Sequence, residues 1–173
     1  GNDTFTRTLR REIESGEVAP QVATPMKGAA EVLYDIGSAV GTEGNSDTFA
    51  ASLLQLSLYL APDAYYPAIA LGGVYESMEQ HEAAIEVYRR VPESSPLHVK
   101  ATVQTALNLN VLDRVDDAIA LLRPVVDADP GNLETTVALG NILRSRRRFE
   151  EAAEVYSEGL EAVDVPDAWW SIY

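Results

Sequence analysis

The sequence offers few side chains with which a protein could do chemistry. Its two histidines, His81 and His98, fall at a predicted turn and at a predicted helix start, and no third ligand stands at zinc-site spacing. Carboxylates such as Glu150 and Glu151 open a predicted helix, where negative charge interacts favourably with the helix dipole. The glycine-containing stretch at 41–46 lacks the Lys-Ser or Lys-Thr of a phosphate-binding loop. We therefore predict no enzyme activity and no metal or cofactor site.

A run of arginines between residues 144 and 148 concentrates positive charge in this sequence. It contains Arg144, Arg146, Arg147 and Arg148, at the end of one predicted helix and across the turn into the next. Cations near the carboxyl end of a helix interact favourably with its last carbonyl groups, which accounts for the run without any ligand. The alternative that stays open is a candidate anion patch that contacts an acidic partner.

The overall charge excludes some classes of partner. The chain has 27 acidic and 13 basic residues, a formal net charge of −14, which repels nucleic-acid backbones and anionic lipid surfaces. No stretch approaches the roughly 18 apolar residues that a membrane span requires, so we predict no direct membrane insertion. The absence of cysteine excludes disulfides. No targeting segment is recognised, so the compartment stays open between cytoplasm and bacterial periplasm or cell envelope.

The elements that position these residues are indicated by an internal repeat. Pro62, Pro96 and Pro130 are spaced 34 residues apart. An alanine, a large residue and a small residue recur with nearly the same period. These are Ala50, Ala84, Ala118 and Ala152; Leu54, Tyr88, Leu122 and Tyr156; and Gly37, Gly72, Ala106 and Gly140. A period of about 34 residues is typical of stacked helix pairs.

The pattern resembles the tetratricopeptide repeat (TPR), whose 34-residue unit is a pair of antiparallel helices, A and B. The best match, residues 65–98, has Leu71, Gly72, Tyr75, Ala84, Tyr88 and Pro96 at the family positions. The resemblance implies an all-α, right-handed superhelical solenoid of about four TPR-like helix-turn-helix repeats plus an N-terminal helix. The repeats are expected at 30–64, 65–98, 99–132 and 133–166, within a single domain that belongs to a longer multi-repeat bacterial protein.

The ends of the chain and two prolines complete the structural expectations. Residues 1–29 are expected to form the N-terminal helix and a connector, and residues 167–173 the start of a truncated further repeat. In the N-terminal helix, Phe5, Leu9 and Ile13 lie on one face. We expect Pro92 to follow a helix that ends near residue 90, with an extended link up to residue 96, and Pro124 to kink or stop its helix.

The TPR resemblance also implies a function. In this family, helix A residues line a concave groove that binds protein segments. In this chain the candidate peptide groove consists of Tyr34, Tyr66, Ile69, Val103, Gln104, Leu107, Asn110, Val137 and Asn141. We expect a non-catalytic protein-protein interaction scaffold that binds a protein or peptide partner of unknown identity. The alternative is a structural self-association module of a larger assembly, at the cell envelope for example, joined through the exposed ends of the stack.

One well-known TPR subclass grips the C-terminal carboxylate of chaperone tails with lysine, asparagine and arginine side chains. In this sequence Tyr34, Ile69 and Val103 stand where a lysine would be needed, and Ala138 stands in the place of the arginine. Binding of chaperone tails is therefore disfavoured.

Overall fold

The computed structural model describes residues 24–41 and 46–163, and within these ranges it contains eight α-helices and no strand. The helices are α1 (Pro25–Gly41), α2 (Asp47–Leu60), α3 (Tyr65–Ser77), α4 (His81–Tyr88), α5 (His98–Val111), α6 (Val115–Ala128), α7 (Leu133–Ser145) and α8 (Phe149–Ala162). Consecutive helices pack against each other, and α1 also contacts α3 while α5 contacts α7. The predicted all-α solenoid of four helix pairs is confirmed. The predicted helix that carries Phe5, Leu9 and Ile13 and the predicted start of a further repeat at 167–173 lie outside the described residues.

The first repeat begins earlier than the sequence pattern predicts. Helix α1 starts at Pro25, inside the stretch assigned to the connector at residues 1–29. Thr24 accounts for this start because its Oγ1 accepts a hydrogen bond from the Lys27 N–H at 3.2 Å. A threonine N-cap followed by proline at the first helical position is a favourable way to begin a helix.

Three of the turns between paired helices have the same backbone geometry. Glu79, Asp113 and Arg147 have positive φ angles of 58°, 62° and 60°. The next residue in each turn bonds to a carbonyl five positions earlier: Gln80 to Tyr75 (2.8 Å), Arg114 to Leu109 (2.8 Å) and Arg148 to Leu143 (3.0 Å). This is the hydrogen bond of a Schellman motif, which usually has glycine at the left-handed position. The 34-residue period therefore extends to the turns, although none of the three residues is glycine.

The small residues of helix A make room for the large residues of helix B. A Cβ placed on Gly72 would lie 2.3 Å from Tyr88 Cζ, and one placed on Gly140 would lie 2.3 Å from Tyr156 Cε1. The sequence pattern predicts that Gly72 is small because the two helices approach closely, and the structure shows that a tyrosine ring occupies the space. In the third repeat the corresponding residues are Ala106 and Leu122, both fully buried.

The expectation that Pro124 stops its helix, one of the two outcomes predicted for it, is wrong. Helix α6 continues past Pro124 to Ala128. Leu122 and Val126 on either side are fully buried, so tertiary packing supports the turn in which the proline N–H is missing. Pro124 itself is exposed. Water can therefore solvate the backbone carbonyl group four positions earlier, which loses its hydrogen-bond partner because proline has no N–H.

The segment after Pro92 is also different from the predicted extended link. Helix α4 ends at Tyr88, close to the expected position, and the chain then makes successive turns. The Ser95 N–H donates to the Pro92 carbonyl at 2.9 Å, and the His98 N–H donates to the Ser95 carbonyl at 3.0 Å. Short-range hydrogen bonds thus satisfy backbone groups that an extended link would leave to solvent.

Candidate protein-binding groove

The helix A surfaces of the first three repeats enclose an open cavity of about 410 Å³, called the amino-terminal cleft below. It is lined by Tyr34, Ser38, Gly41, Leu54, Tyr66, Ile69, Ala70, Gly73, Val74, Ser77, Leu97 and Lys100. A second cavity of about 450 Å³, called the acidic cavity below, is lined by Lys27, Ala30, Glu31, Tyr34, Asp35, Ser57, Ala61, Asp63, Ala64, Tyr66 and Pro67. Because Tyr34 and Tyr66 line both cavities, the two are neighbours on one surface.

Three of the predicted groove residues, Tyr34, Tyr66 and Ile69, come together in the amino-terminal cleft. The Tyr66 side chain is 62% exposed, while Tyr34 and Ile69 are half-buried against the core of the first two repeats. Gly73 keeps the adjacent surface open, since a Cβ on this residue would meet no atom within 4 Å. The cleft therefore combines apolar walls, an accessible aromatic ring and a flat glycine surface.

The acidic cavity carries two carboxylates that have no partner among the described residues. Lys27 Nζ pairs with Asp63 Oδ2 at 3.1 Å, and this hydrogen bond lowers the pKa of Asp63. Glu31 and Asp35 are exposed and have no hydrogen bond or ion pair within the described part of the chain. After the internal pair is formed, the surface beside the two tyrosines keeps a net negative charge.

The predicted groove residues of the third repeat are less accessible than the pattern implies. Val103 is only 4% exposed and belongs to the core, so it does not present a binding surface. Gln104 and Leu107 are partly buried, whereas Val137 in the fourth repeat is 44% exposed. Val103 and Val137 occupy the same repeat position, which is therefore buried in the core in one repeat and exposed in the other.

Each of the two predicted asparagines accepts a hydrogen bond from within the chain. Asn110 Oδ1 accepts from Arg146 Nε at 3.1 Å, and Asn141 Oδ1 accepts from the Tyr156 hydroxyl at 3.0 Å. Each side chain also has an NH₂ group that can donate hydrogen bonds to a ligand. Such donors match the carbonyl groups of a bound peptide backbone.

The candidate anion patch is partly neutralised by internal contacts. Arg146 pairs with Asp113 and donates to the Asn110 carbonyl at 2.6 Å, which connects the third and fourth repeats. Arg148 donates two hydrogen bonds to the Glu151 carboxylate, at 2.7 and 2.6 Å, and these bonds lower the pKa of Glu151.

The other two arginines of the patch, Arg144 and Arg147, are exposed and have no carboxylate partner among the described residues. Within the described part of the chain, Arg144 makes one long contact, to Asn141 Oδ1 at 3.5 Å.

A buried polar network that the sequence analysis missed links the second and third repeats. Asn108 is only 2% exposed; its amide donates to Glu76 and to the Gln104 carbonyl, and its Oδ1 lies 2.8 Å from His81 Nδ1. Because an amide oxygen can only accept, His81 Nδ1 carries the proton in this contact. The sequence contained a signal for this network: Asn108 is polar, whereas the residues one repeat period before and after it are the apolar Val74 and Ile142.

Residues 24–41 and 46–163 lack two other functional features. No group of three or more His, Asp or Glu side chains there could hold a metal ion. No helix in these ranges is long and apolar enough to cross a membrane.

Four stacked hairpins with an open cleft on their helix A side define a helical-repeat solenoid. Family models for the tetratricopeptide repeat match residues 68–96 and residues 112–173, which together make up slightly more than half of the chain. The chain therefore belongs to the tetratricopeptide repeat family, and the family predicted from its 34-residue period is confirmed.

Solved structures of MamA proteins are similar to this fold. MamA 41-end from Desulfovibrio magneticus RS-1 is 23% identical with a TM-score of 0.66, covering 94% of this chain and 92% of that one. MamA from AMB-1 is 25% identical with a TM-score of 0.62, covering 77% and 78%. MamA from MSR-1 is 22% identical with a TM-score of 0.61, covering 85% and 82%. The search of curated proteins found no match.

Proposed function

We propose that this protein binds a segment of a partner protein in the amino-terminal cleft, without catalysis, and that Tyr34 and Tyr66 make the central contacts. The observation that carries the proposal is Tyr66, a large aromatic side chain left 62% exposed where the cleft meets the acidic cavity. Exposed aromatic residues in concave sites often dominate binding energy, because they bury a large area at a small cost in side-chain entropy.

The charges beside the tyrosines indicate what kind of segment would bind. Glu31 and Asp35 have no partner among the described residues, so a lysine or arginine of the ligand can pair with them and lie over an aromatic face. An adjacent apolar ligand side chain can pack against Ile69 and over Gly73. We therefore expect the partner segment to have a basic residue next to apolar residues, and the net charge of −14 would also speed its approach.

Selection from a displayed library of random peptides, with the whole protein immobilised, tests this proposal. Enriched sequences are expected to have lysine or arginine beside apolar residues. For a selected peptide, Tyr66→Ala should weaken binding roughly ten- to hundredfold, which corresponds to about 1 to 3 kcal/mol. Tyr59→Ala is the matched control, because Tyr59 is also an exposed tyrosine, at 80%, and lines neither cavity.

The acidic side of the proposal has its own control. Glu31→Gln with Asp35→Asn should weaken binding of the basic peptide and reduce its dependence on salt concentration, since exposed charges are screened. Enrichment of acidic peptides, or equal losses from Tyr66→Ala and Tyr59→Ala, would reject the cleft as the binding site.

A further inference from the structure

Lys100, near the start of α5, lines the amino-terminal cleft but not the acidic cavity. It is the only charged side chain among the described residues that line the cleft. The side chain is exposed and has no hydrogen bond or ion pair within the described part of the chain, whereas Lys27 pairs with Asp63. The cleft therefore contains a cation that no contact among the described residues accounts for.

The position of Lys100 is unfavourable for a cation. It is the third residue of α5, in the first turn, where the helix dipole favours negative charge. With Gly37, Gly72, Ala106 and Gly140 in register, the corresponding residues of the other repeats are Glu31, Tyr66 and Glu134. Glu134 lies in the first turn of α7, where its charge suits the helix dipole. Residues that break a local structural rule without benefit to the fold are typical of functional sites.

Glu31, Tyr66 and Lys100 share one register position, so they form a row across three successive A helices. The two cavities have the same order, with Glu31 and Asp35 in the acidic cavity, Tyr66 in both, and Lys100 in the cleft. Neighbouring helices lie about 10 Å apart, so the two charged ends are separated by roughly 20 Å. An extended segment rises about 3.3 Å per residue, and long side chains shorten the distance to be spanned, so its charged residues would be about four to seven positions apart.

We propose that the segment bound in the amino-terminal cleft has a basic residue at one end and an acidic residue at the other, and that Lys100 binds the acidic residue. The basic residue pairs with Glu31 and Asp35, and apolar residues between the two charges pack over Tyr66. This proposal rests on the proposed function, because it concerns the same ligand. The two charges fix the direction of the segment, since reversing it would bring like charges together at both ends.

Peptide selection with the parent protein and with Lys100→Glu tests the proposal. Both full chains are immobilised and exposed to the same library of random peptides. Peptides enriched on the parent should have an acidic residue about four to seven positions from the basic one. Peptides enriched on Lys100→Glu should keep the basic and apolar residues and have a second basic residue in place of the acidic one. Lys100→Glu should melt no lower than the parent, because a carboxylate suits the first turn of α5.

A charge reversal within one selected peptide provides a quantitative check. Lys100→Glu should weaken binding of a parent-selected peptide roughly five- to tenfold at low salt. Replacing the acidic residue of that peptide by lysine should restore binding to the variant and weaken binding to the parent. Arg90→Glu is the matched control, because Arg90 is an exposed cation that lines neither cavity, and its reversal changes the net charge equally. This control should change binding by less than about twofold.

Equal effects of Lys100→Glu and Arg90→Glu on a peptide that still depends on Tyr66 would overturn this inference and leave the cleft as the binding site. Selected peptides that lack an acidic residue at the expected separation, or a lysine-substituted peptide that fails to bind Lys100→Glu, would overturn it as well. Equal losses from Tyr66→Ala and Tyr59→Ala would instead reject the cleft, and the proposed function with it.

Discussion

Adjacent glycines in α3 should respond in opposite ways to the same substitution. A Cβ on Gly72 would lie 2.3 Å from Tyr88 Cζ and 2.4 Å from Tyr88 Cε1, whereas a Cβ on Gly73 would meet nothing within 4 Å. Gly72→Ala should therefore destabilise the protein, and Gly73→Ala should stabilise it.

The size of each effect follows from two opposing contributions. In a helix interior, replacing glycine by alanine favours folding by up to about 1 kcal/mol, and this applies at both positions. At Gly72 the tyrosine ring must also move by roughly 1.5 Å to reach normal carbon contact distances. Tyr88 is only 2% exposed, so the ring has no free space, and overpacking of this kind costs about 1 to 3 kcal/mol. We expect a net loss of about 1 to 2 kcal/mol for Gly72→Ala.

Urea unfolding followed by circular dichroism measures the stability of both variants. Thermal melting should separate them by several degrees, because about 1 kcal/mol changes Tm by roughly 2 to 4 °C in a chain of this size.

A double variant provides a specific check. The third repeat has alanine and leucine where the second has Gly72 and Tyr88, so Tyr88→Leu should cost less in the Gly72→Ala protein than in the parent. If both alanine variants shift stability in the same direction, or the two substitutions are additive, the argument from ring contact is wrong.

Two further predictions concern Tyr88 and the interhelical turns. Burial is the main cause that raises the pKa of Tyr88, and the nearby Glu76 carboxylate raises it further. Above about pH 10 the unfolded chain therefore releases a proton that the folded protein keeps. The free energy of unfolding should fall as the pH rises past that value. Tyr88→Phe should reduce the slope of the free energy of unfolding against pH by the equivalent of about one proton. Equal slopes for the variant and the parent, measured by urea titrations between pH 8 and 11, would contradict this prediction. Glu79→Gly should stabilise the fold by about 0.5 to 1 kcal/mol by removing the left-handed strain, whereas Glu86→Gly within α4 should destabilise it by a similar amount. A loss of stability in both glycine variants would show that the turn is not strained.

The sequence was sufficient to predict the repeat architecture because the period places small and large residues at fixed positions. Gly72 with Tyr88, and Ala106 with Leu122, lie 16 residues apart in their repeats and perform the same packing task. Such a pattern depends on the geometry of one helix pair and not on distant parts of the chain. For the same reason, the period places Tyr66 on helix A, and this residue lines the cleft.

Features that depend on how one repeat meets the next were harder to predict. Ile69 and Val103 share a register position, yet Val103 is buried in the core of the last two repeats while Ile69 lines the cleft. Pro124 interrupts the hydrogen bonds of its helix, but packing of neighbouring buried residues keeps the helix intact. The pairing of Arg146 with Asp113 joins residues of adjacent repeats, so local pattern could not separate it from a free anion patch.

The shape of the cleft depends on the junction between the second and third repeats, where buried polar residues occur that the other repeats lack. One core cluster consists mainly of apolar residues of the first two repeats and the other mainly of those of the last two, with Ala101 and Ile85 crossing over. The Glu76, Asn108 and His81 network lies where the second repeat meets the third. The cleft takes Tyr66 from one side of that junction and Lys100 from the other. Buried hydrogen bonds are directional and costly to leave unmade, so this network fixes how the third repeat sits on the second in a way that apolar packing alone would not. The shape of the cleft therefore depends on polar residues that occur in one repeat only, which is why the period predicts the fold but not the ligand.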